Sequence, residues 1–183
     1  YPLWRKYNDA SPVATVNACL GSERWQQLLV YLAKKAQRLG ACGILYDRIG
    51  GCEPYLCFSD NHQHKHPAMA TGPGKIEAIK RVRTELKAID PQFAVITELI
   101  TDCLCQHVDM MHGHGMGTSD QPNSFPELFR YTFPEMILTQ RHPTPILDKG
   151  KANFAALYGM RHELEFRYAA DVDFMNNGEI PTY

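Results

Sequence analysis

Two carboxylates follow two short apolar runs that are typical of buried β-strands. Asp47 comes at the end of the run from Cys42, and Glu98 comes at the end of the run from Phe93. A carboxylate is costly to place where a strand leaves the core unless a partner or a ligand uses its charge. Two carboxylates that face one cleft can hydrolyse a glycosidic bond, because one acts as the nucleophile and the other as the acid/base. We therefore take Asp47 and Glu98 as the candidate catalytic pair.

A histidine-rich segment lies between these two carboxylates in the sequence. His62, His64 and His66 alternate, and Cys52 and Cys57 come shortly before them. Imidazoles in such a loop can hydrogen-bond sugar hydroxyls, so His62 and His64 are candidate substrate-binding residues. The same side chains could hold zinc in a metal-dependent hydrolase, but their spacing matches no common zinc pattern. We predict no metal and no cofactor, and we keep the metal-dependent hydrolase as an alternative.

Further polar residues accompany later apolar runs. Asp109 lies in one such run and His112 directly follows it, and Arg141 ends another. Because the C-terminal ends of parallel strands form one active-site rim in a barrel, these three side chains are expected beside the carboxylates as substrate-binding groups. Asp109 is also an alternative to Glu98 as the acid, and Arg141 can bind an acidic group on a sugar. Tyr46 is a candidate platform on which a sugar ring stacks.

Several other classes of protein lack support in the sequence. There is no Gly-x-Ser-x-Gly elbow and no phosphate-binding loop. The net charge of -1 provides no basic surface for nucleic acid. No apolar run approaches the roughly 20 residues of a membrane span. We expect a soluble protein with a carbohydrate substrate and without a nucleic-acid or membrane partner. The compartment stays open, and a periplasmic or extracellular location is one option.

The apolar pattern also predicts the elements that position these residues. Helical spacing covers residues 22–40, 73–89 and 152–166, and strand-like runs cover residues 13–19, 41–47, 93–98, 108–111 and 136–139. Strands that alternate with helices predict a parallel sheet with right-handed crossovers. A complete (βα)8 barrel needs eight strands and about 250 residues. We predict a single domain over 1–183 with a mixed α/β fold, a barrel of the (βα)8 type that is incomplete and lacks the early strands.

At these residues the sequence resembles a bacterial family of uncharacterised barrel domains in the glycoside hydrolase superfamily. The resemblance covers roughly residues 13–165 and rests on ordered segments rather than on one motif. These segments are the helix with Trp25, the stretch Gly43–Gly50, the loop Cys57–Pro67, the helix end Ile89–Pro91 and the run Val95–Glu98.

The resemblance implies a hydrolase related to enzymes that cleave α-linked galactose and N-acetylgalactosamine. It implies that Asp47 is the nucleophile and Glu98 the acid/base of a retaining reaction, whereas the α-galactosidase relatives would favour Asp109 as the acid. The chain departs from the family where it lacks the early strands and where His64–Ala68 replaces a stretch that is often rich in glycine. The expected partners are a carbohydrate and either the remaining barrel segment or a second copy of the chain. A barrel that binds carbohydrate without catalysis is the second alternative.

Overall fold

The computed structural model describes residues 17–51, 55–62, 64–112, 126–143 and 149–165. The elements within these ranges are α1 (Glu23–Arg38), β1 (Gly43–Tyr46), α2 (Pro73–Lys87), β2 (Ala94–Glu98), β3 (Met110–His112), α3 (Pro126–Thr132), β4 (Ile137–Pro143), α4 (Lys149–Leu157) and β5 (Arg161–Glu165). Short 3-10 helices cover Pro67–Ala70 and Asp102–Leu104. The described residues form two compact units, unit 1 within the ranges 1–44 and 52–93, and unit 2 within the ranges 45–51 and 94–183.

Unit 1 is built around the packing of α1 against α2. Each helix has one apolar face at a spacing of three or four residues, which is the pattern of a helix that buries one side. The buried apolar residues of these faces are Leu29, Val30 and Ala33 in α1, and Ala78, Ile79, Val82 and Leu86 in α2. At the margin of the pair, Lys34 Nζ lies 2.7 Å from Glu85 Oε2. This hydrogen bond, assisted by Arg81, holds the pKa of Glu85 below its usual value. None of the helices in the described ranges is both long and apolar enough to cross a bilayer.

Unit 2 contains most of a parallel five-stranded sheet with the order β1-β2-β3-β4-β5. The mixed α/β class with a parallel sheet is therefore confirmed. The strands β2, β3 and β4 alternate between two faces, as a strand must. One face is fully or almost fully buried, with Val95, Thr97, Met111 and Leu138. The opposite face carries Glu98 and His112 at the C-terminal ends of β2 and β3, with Thr139 of β4 beside His112.

The last strand of the sheet differs from the sequence prediction. The single helix predicted over 152–166 was wrong, because α4 ends at Leu157 and the chain turns at Gly159, which has a φ of +62°. The residues that follow form β5, which pairs in parallel with β4 from Thr139↔Arg161 onward. Tertiary pairing with β4 thus overrides the helical propensity of this glutamate- and leucine-containing segment. Of the strand predicted over 13–19, residues 17–19 are not in a strand and the others lie outside the described residues.

Candidate functional site

Glu98 lies at the C-terminal end of β2 and is held by the turn that follows β1. Its side chain is buried, with 8% of the residue exposed. Oε2 of Glu98 accepts a hydrogen bond of 3.0 Å from the backbone N–H of Arg48. The backbone N–H of Gly50 donates to the Glu98 carbonyl oxygen at 2.8 Å. The exposed Asp47 directly precedes Arg48 in this turn, so the two predicted catalytic residues lie at the same end of the sheet.

The backbone is strained just after both of these strand ends. Arg48 has a φ of 57° and Leu99 a φ of 71°, the left-handed region that residues other than glycine rarely adopt. Such a conformation costs about 1–3 kcal/mol and persists only where the surrounding structure imposes it. Two contacts impose it here. One is the Arg48–Glu98 hydrogen bond, and the other is a 2.9 Å hydrogen bond from the Leu99 N–H to the carbonyl oxygen of His112. Strained residues of this kind cluster at functional sites, which makes this edge of the sheet the candidate site.

A second carboxylate, Glu163, lies on the same face of the sheet and is bound to His112. In the register of β2, β3 and β4, Glu98 pairs with His112 and His112 pairs with Thr139, so these three side chains share one face of the sheet. Nδ1 of His112 is hydrogen-bonded to Glu163 Oε2. The hydroxyl of Thr139 donates to the same carboxylate oxygen at 2.9 Å. His112 is 4% exposed, and its hydrogen bond to Glu163, which Thr139 also binds, holds the imidazole in one orientation.

We name Asp47, Glu98, His112, Thr139 and Glu163 the sheet-edge site. It brings together three of the residues predicted from the sequence, and adds Thr139 and Glu163. The sequence does not predict Glu163 as a site residue, because the pattern of residues 152–166 indicates one helix. Gly159 was the available signal, since a glycine after an apolar helical face commonly marks a helix end.

Asp109 does not lie at the edge predicted for it. It precedes β3, and its Oδ2 accepts a 2.8 Å hydrogen bond from the backbone N–H of Val95 near the start of β2. The backbone N–H of Asp109 donates back to the Val95 carbonyl oxygen at 2.8 Å. Asp109 is therefore three residues before His112, about 10 Å along the strand from the sheet-edge site. Its carboxylate ties two strands together at their N-terminal ends.

Two further predicted substrate-binding residues have different outcomes. Tyr46, the last residue of β1, is only 7% exposed, and burial raises the pKa of its hydroxyl. Its ring therefore offers little exposed surface for stacking against a sugar, and its substrate-binding role stays a prediction. The backbone of Arg141 lies in β4 and pairs with Glu163. The side chain of Arg141 lies outside the described residues.

The other two predicted residues, His62 and His64, lie together in unit 1 beside two cysteines. The ligand atoms of Cys19, Cys57, His62 and His64 all lie within 4.8 Å of one another. Cys57 Sγ is 3.5 Å from Nε2 of His62, and burial raises the pKa of the Cys19 thiol. We name these four residues the Cys–His cluster. The sequence analysis considered Cys52 and Cys57 beside the histidines but not Cys19, and Cys52 lies outside the described residues.

We predict that the carboxylate of Glu163 stabilises unit 2 through its two hydrogen bonds. Glu163→Ala leaves His112 and Thr139 without this acceptor, and an unsatisfied buried polar group costs about 1–3 kcal/mol. Glu163→Gln is the matched control, because its amide oxygen can still accept one hydrogen bond and the loss should be under about 1 kcal/mol. Urea unfolding of both variants measures the difference. Equal stability of the two variants would contradict a structural role for the carboxylate acceptor.

Comparison with known proteins relates the chain to one family. No curated protein matches it, and no solved structure matches it. The model of the family described as a domain of unknown function, DUF6259, matches residues 2–140. This match spans more than half of the 183-residue chain. The chain therefore belongs to the DUF6259 family.

Proposed function

We propose that this chain is part of a (βα)8-type glycoside hydrolase that cleaves an α-linked sugar with retention of configuration. The observation that carries the proposal is the 3.0 Å hydrogen bond from the Arg48 N–H to Glu98 Oε2. It holds the turn that contains Asp47 against the buried carboxyl group of Glu98, at the C-terminal ends of neighbouring parallel strands. A barrel glycosidase requires two catalytic carboxyl groups at such strand ends. The choice of an α-linked substrate follows from the resemblance described for the sequence.

The strand order supports a barrel over an open doubly wound sheet. The order β1-β2-β3-β4-β5 follows the chain from one edge to the other without a reversal. Open sheets that bind nucleotides reverse their strand order at a switch point, where the ligand binds. A barrel instead adds each strand beside the previous one. The five strands would then be one part of the barrel wall, completed by further strands of the same protein or of a second copy.

The proposed reaction has two steps at these residues. The Asp47 carboxylate attacks the anomeric carbon while the Glu98 carboxyl group gives its proton to the glycosidic oxygen, so the leaving alcohol departs neutral. The Glu98 carboxylate then takes a proton from water, whose oxygen attacks the anomeric carbon and releases Asp47. The imidazole of His112, fixed by Glu163, hydrogen-bonds a sugar hydroxyl. This mechanism requires the carboxyl groups of Asp47 and Glu98 to stand about 5–5.5 Å apart.

A covalent trap tests the nucleophile directly. A panel of 5-fluoro-α-glycosyl fluorides is incubated with the chain, because the ring fluorine slows both steps while the fluoride leaving group lets the glycosyl-enzyme accumulate. We expect a mass increase of one glycosyl group that maps to Asp47. Asp47→Asn should abolish the adduct. Asp109→Asn is the control and should keep the adduct, because Asp109 lies at the other end of the strands.

The acid/base role of Glu98 has its own readout. Glu98→Gln should lower turnover by about 10²–10⁴-fold on substrates with a poor leaving group, and much less on aryl glycosides with an activated phenol. Added azide should rescue the variant by replacing water as the second nucleophile. Absence of an adduct over the whole panel would overturn the proposal. An adduct on another carboxylate, such as Glu163, would overturn the assignment of Asp47.

A further inference from the structure

We propose that the Cys–His cluster of unit 1 binds a structural zinc ion. The cluster consists of two sulfur and two nitrogen ligands, Cys19, Cys57, His62 and His64, with all ligand atoms within 4.8 Å of one another. Zinc binds such a set at about 2.3 Å from sulfur and 2.0–2.1 Å from nitrogen, which places tetrahedral ligands about 3.3–3.8 Å apart. The 3.5 Å between Cys57 Sγ and His62 Nε2 already lies within this range. Small side-chain movements would bring the other ligand atoms to the same spacing.

The two imidazoles are arranged as zinc ligands usually are. Nδ1 of His62 lies 2.8 Å from Oδ1 of Asn61, so a proton on Nδ1 leaves the lone pair of Nε2 directed at the cluster. An oxygen that accepts a hydrogen bond from the other ring nitrogen orients most histidines that bind metals. Nε2 of His64 is buried and has no hydrogen-bond partner in the described part of the chain. An unsatisfied buried nitrogen is costly, and a bound metal would satisfy it.

The number of ligands points to a structural rather than a catalytic ion. Catalytic zinc keeps three protein ligands and an open position for water, whereas structural zinc is closed by four. The donor set of two thiolates and two imidazoles is typical of zinc and unlike the oxygen sites of magnesium or calcium. The ion would therefore not activate water, which separates this inference from the metal-dependent hydrolase considered for the sequence.

The position of the ligands indicates what the ion would stabilise. Cys19 precedes α1, and the other three ligands belong to the loop between Cys57 and Pro67. The Cys57 N–H donates to the Pro67 carbonyl oxygen at 3.0 Å, which closes that loop. Gly21 borders the cluster, since an added Cβ there would lie 3.4 Å from Cys19 Sγ. Zinc would fasten the loop to the start of α1.

Metal content and cobalt substitution test the site on the native chain. We expect about one zinc per chain by elemental analysis of protein purified without chelator. Replacement by Co²⁺ should produce a thiolate-to-cobalt charge-transfer band and the intense d–d absorption of a tetrahedral site. Absence of zinc together with absence of this spectrum after cobalt addition would overturn the proposal. A purified chain whose Cys19 and Cys57 form a disulfide would also overturn it.

Thiol alkylation and loop variants locate the ion. In the zinc-loaded chain, Cys19 and Cys57 should resist iodoacetamide, whereas the exposed Cys42 and Cys103 should react. EDTA should remove this protection. His64→Ala should lose the bound zinc, and the matched control His66→Ala, in the same loop but outside the cluster, should keep it. Retention of zinc by His64→Ala would exclude the proposed ligand set.

The hydrogen bond between Asn61 and His62 provides a finer test, because its removal leaves all four proposed zinc ligands in place. Asn61→Ala should keep the fold and lower zinc affinity about 10–100-fold, because His62 loses the oxygen that orients it. Competition with a chromophoric chelator measures this change. An unchanged affinity would contradict the orientation argued for His62. None of these measurements depends on glycosidase activity, so the zinc proposal and the proposed function can fail separately.

Discussion

Replacing Gly50 with alanine is expected to destabilise unit 2 by about 3 kcal/mol or more, at the upper end of what overpacking costs. An ideal Cβ at this position would lie 2.2 Å from the carbonyl oxygen of Glu98 and 2.3 Å from that of Leu99. Both atoms belong to the backbone and cannot rotate away as a flexible side chain would. The turn after β1 would have to separate from the end of β2, with loss of the Gly50–Glu98 hydrogen bond.

Urea unfolding measures the loss, provided that the m-value stays close to that of the unmodified chain. Gly40→Ala is a useful control, because Gly40 has a φ of +93° and no atom within 4 Å of an added Cβ. Its cost is backbone strain alone, about 1–2 kcal/mol. The same separation of the turn from β2 should also abolish the glycosyl adduct expected on Asp47. A Gly50→Ala variant as stable as the native chain would show that the turn does not approach β2 this closely.

Gly74→Ala is expected to destabilise unit 1 by about 2 kcal/mol, although helix propensity alone predicts the opposite sign. Gly74 is the second residue of α2, and alanine is favoured over glycine in a helix by about 0.5–1 kcal/mol. An added Cβ would lie 2.3 Å from the Met69 carbonyl oxygen and 2.6 Å from the Gly21 amide nitrogen. Overpacking against backbone costs about 1–3 kcal/mol, which outweighs the gain in propensity.

The neighbouring Gly72 is the matched control. An added Cβ there meets only the Ala68 carbonyl oxygen at 3.9 Å, so Gly72→Ala should cost at most the preference for glycine at a helix N-cap, about 1 kcal/mol. Chemical denaturation compares the two variants. A stabilising effect of Gly74→Ala would show that the start of α2 does not contact Gly21. A destabilising effect should be accompanied by weaker zinc binding, since Gly21 also borders Cys19.

The sequence predicted the local elements well where apolar residues repeat along one segment. The two amphipathic helices were predicted as 22–40 and 73–89 and are α1 and α2, and the runs ending at Asp47 and Glu98 became β1 and β2. Hydrophobic periodicity predicts local geometry, because apolar residues that line one buried face repeat with the period of the helix or strand, whatever that face packs against. The catalytic roles of Asp47 and Glu98 remain predictions.

The composition of the two sites depended on contacts between distant residues. His112 and Glu163 are 51 residues apart and meet only because β5 adds to β4. Cys19 joins Cys57, His62 and His64 only through the path of the loop that follows β1. No spacing pattern can reveal such neighbours, since the chain between them is free to differ in length and course.

The amino-acid sequence by itself determined the α/β class, the helices of unit 1 and the location of Glu98 at a strand end. These follow from residue types at short range, where burial and backbone geometry act on a few consecutive residues. Only the tertiary structure decided that Asp109 bonds to Val95 rather than lining the sheet-edge site, and that residues 161–165 form a strand. Strand pairing decides these contacts, because the hydrogen bonds between backbone groups of two strands fix which distant side chains become neighbours.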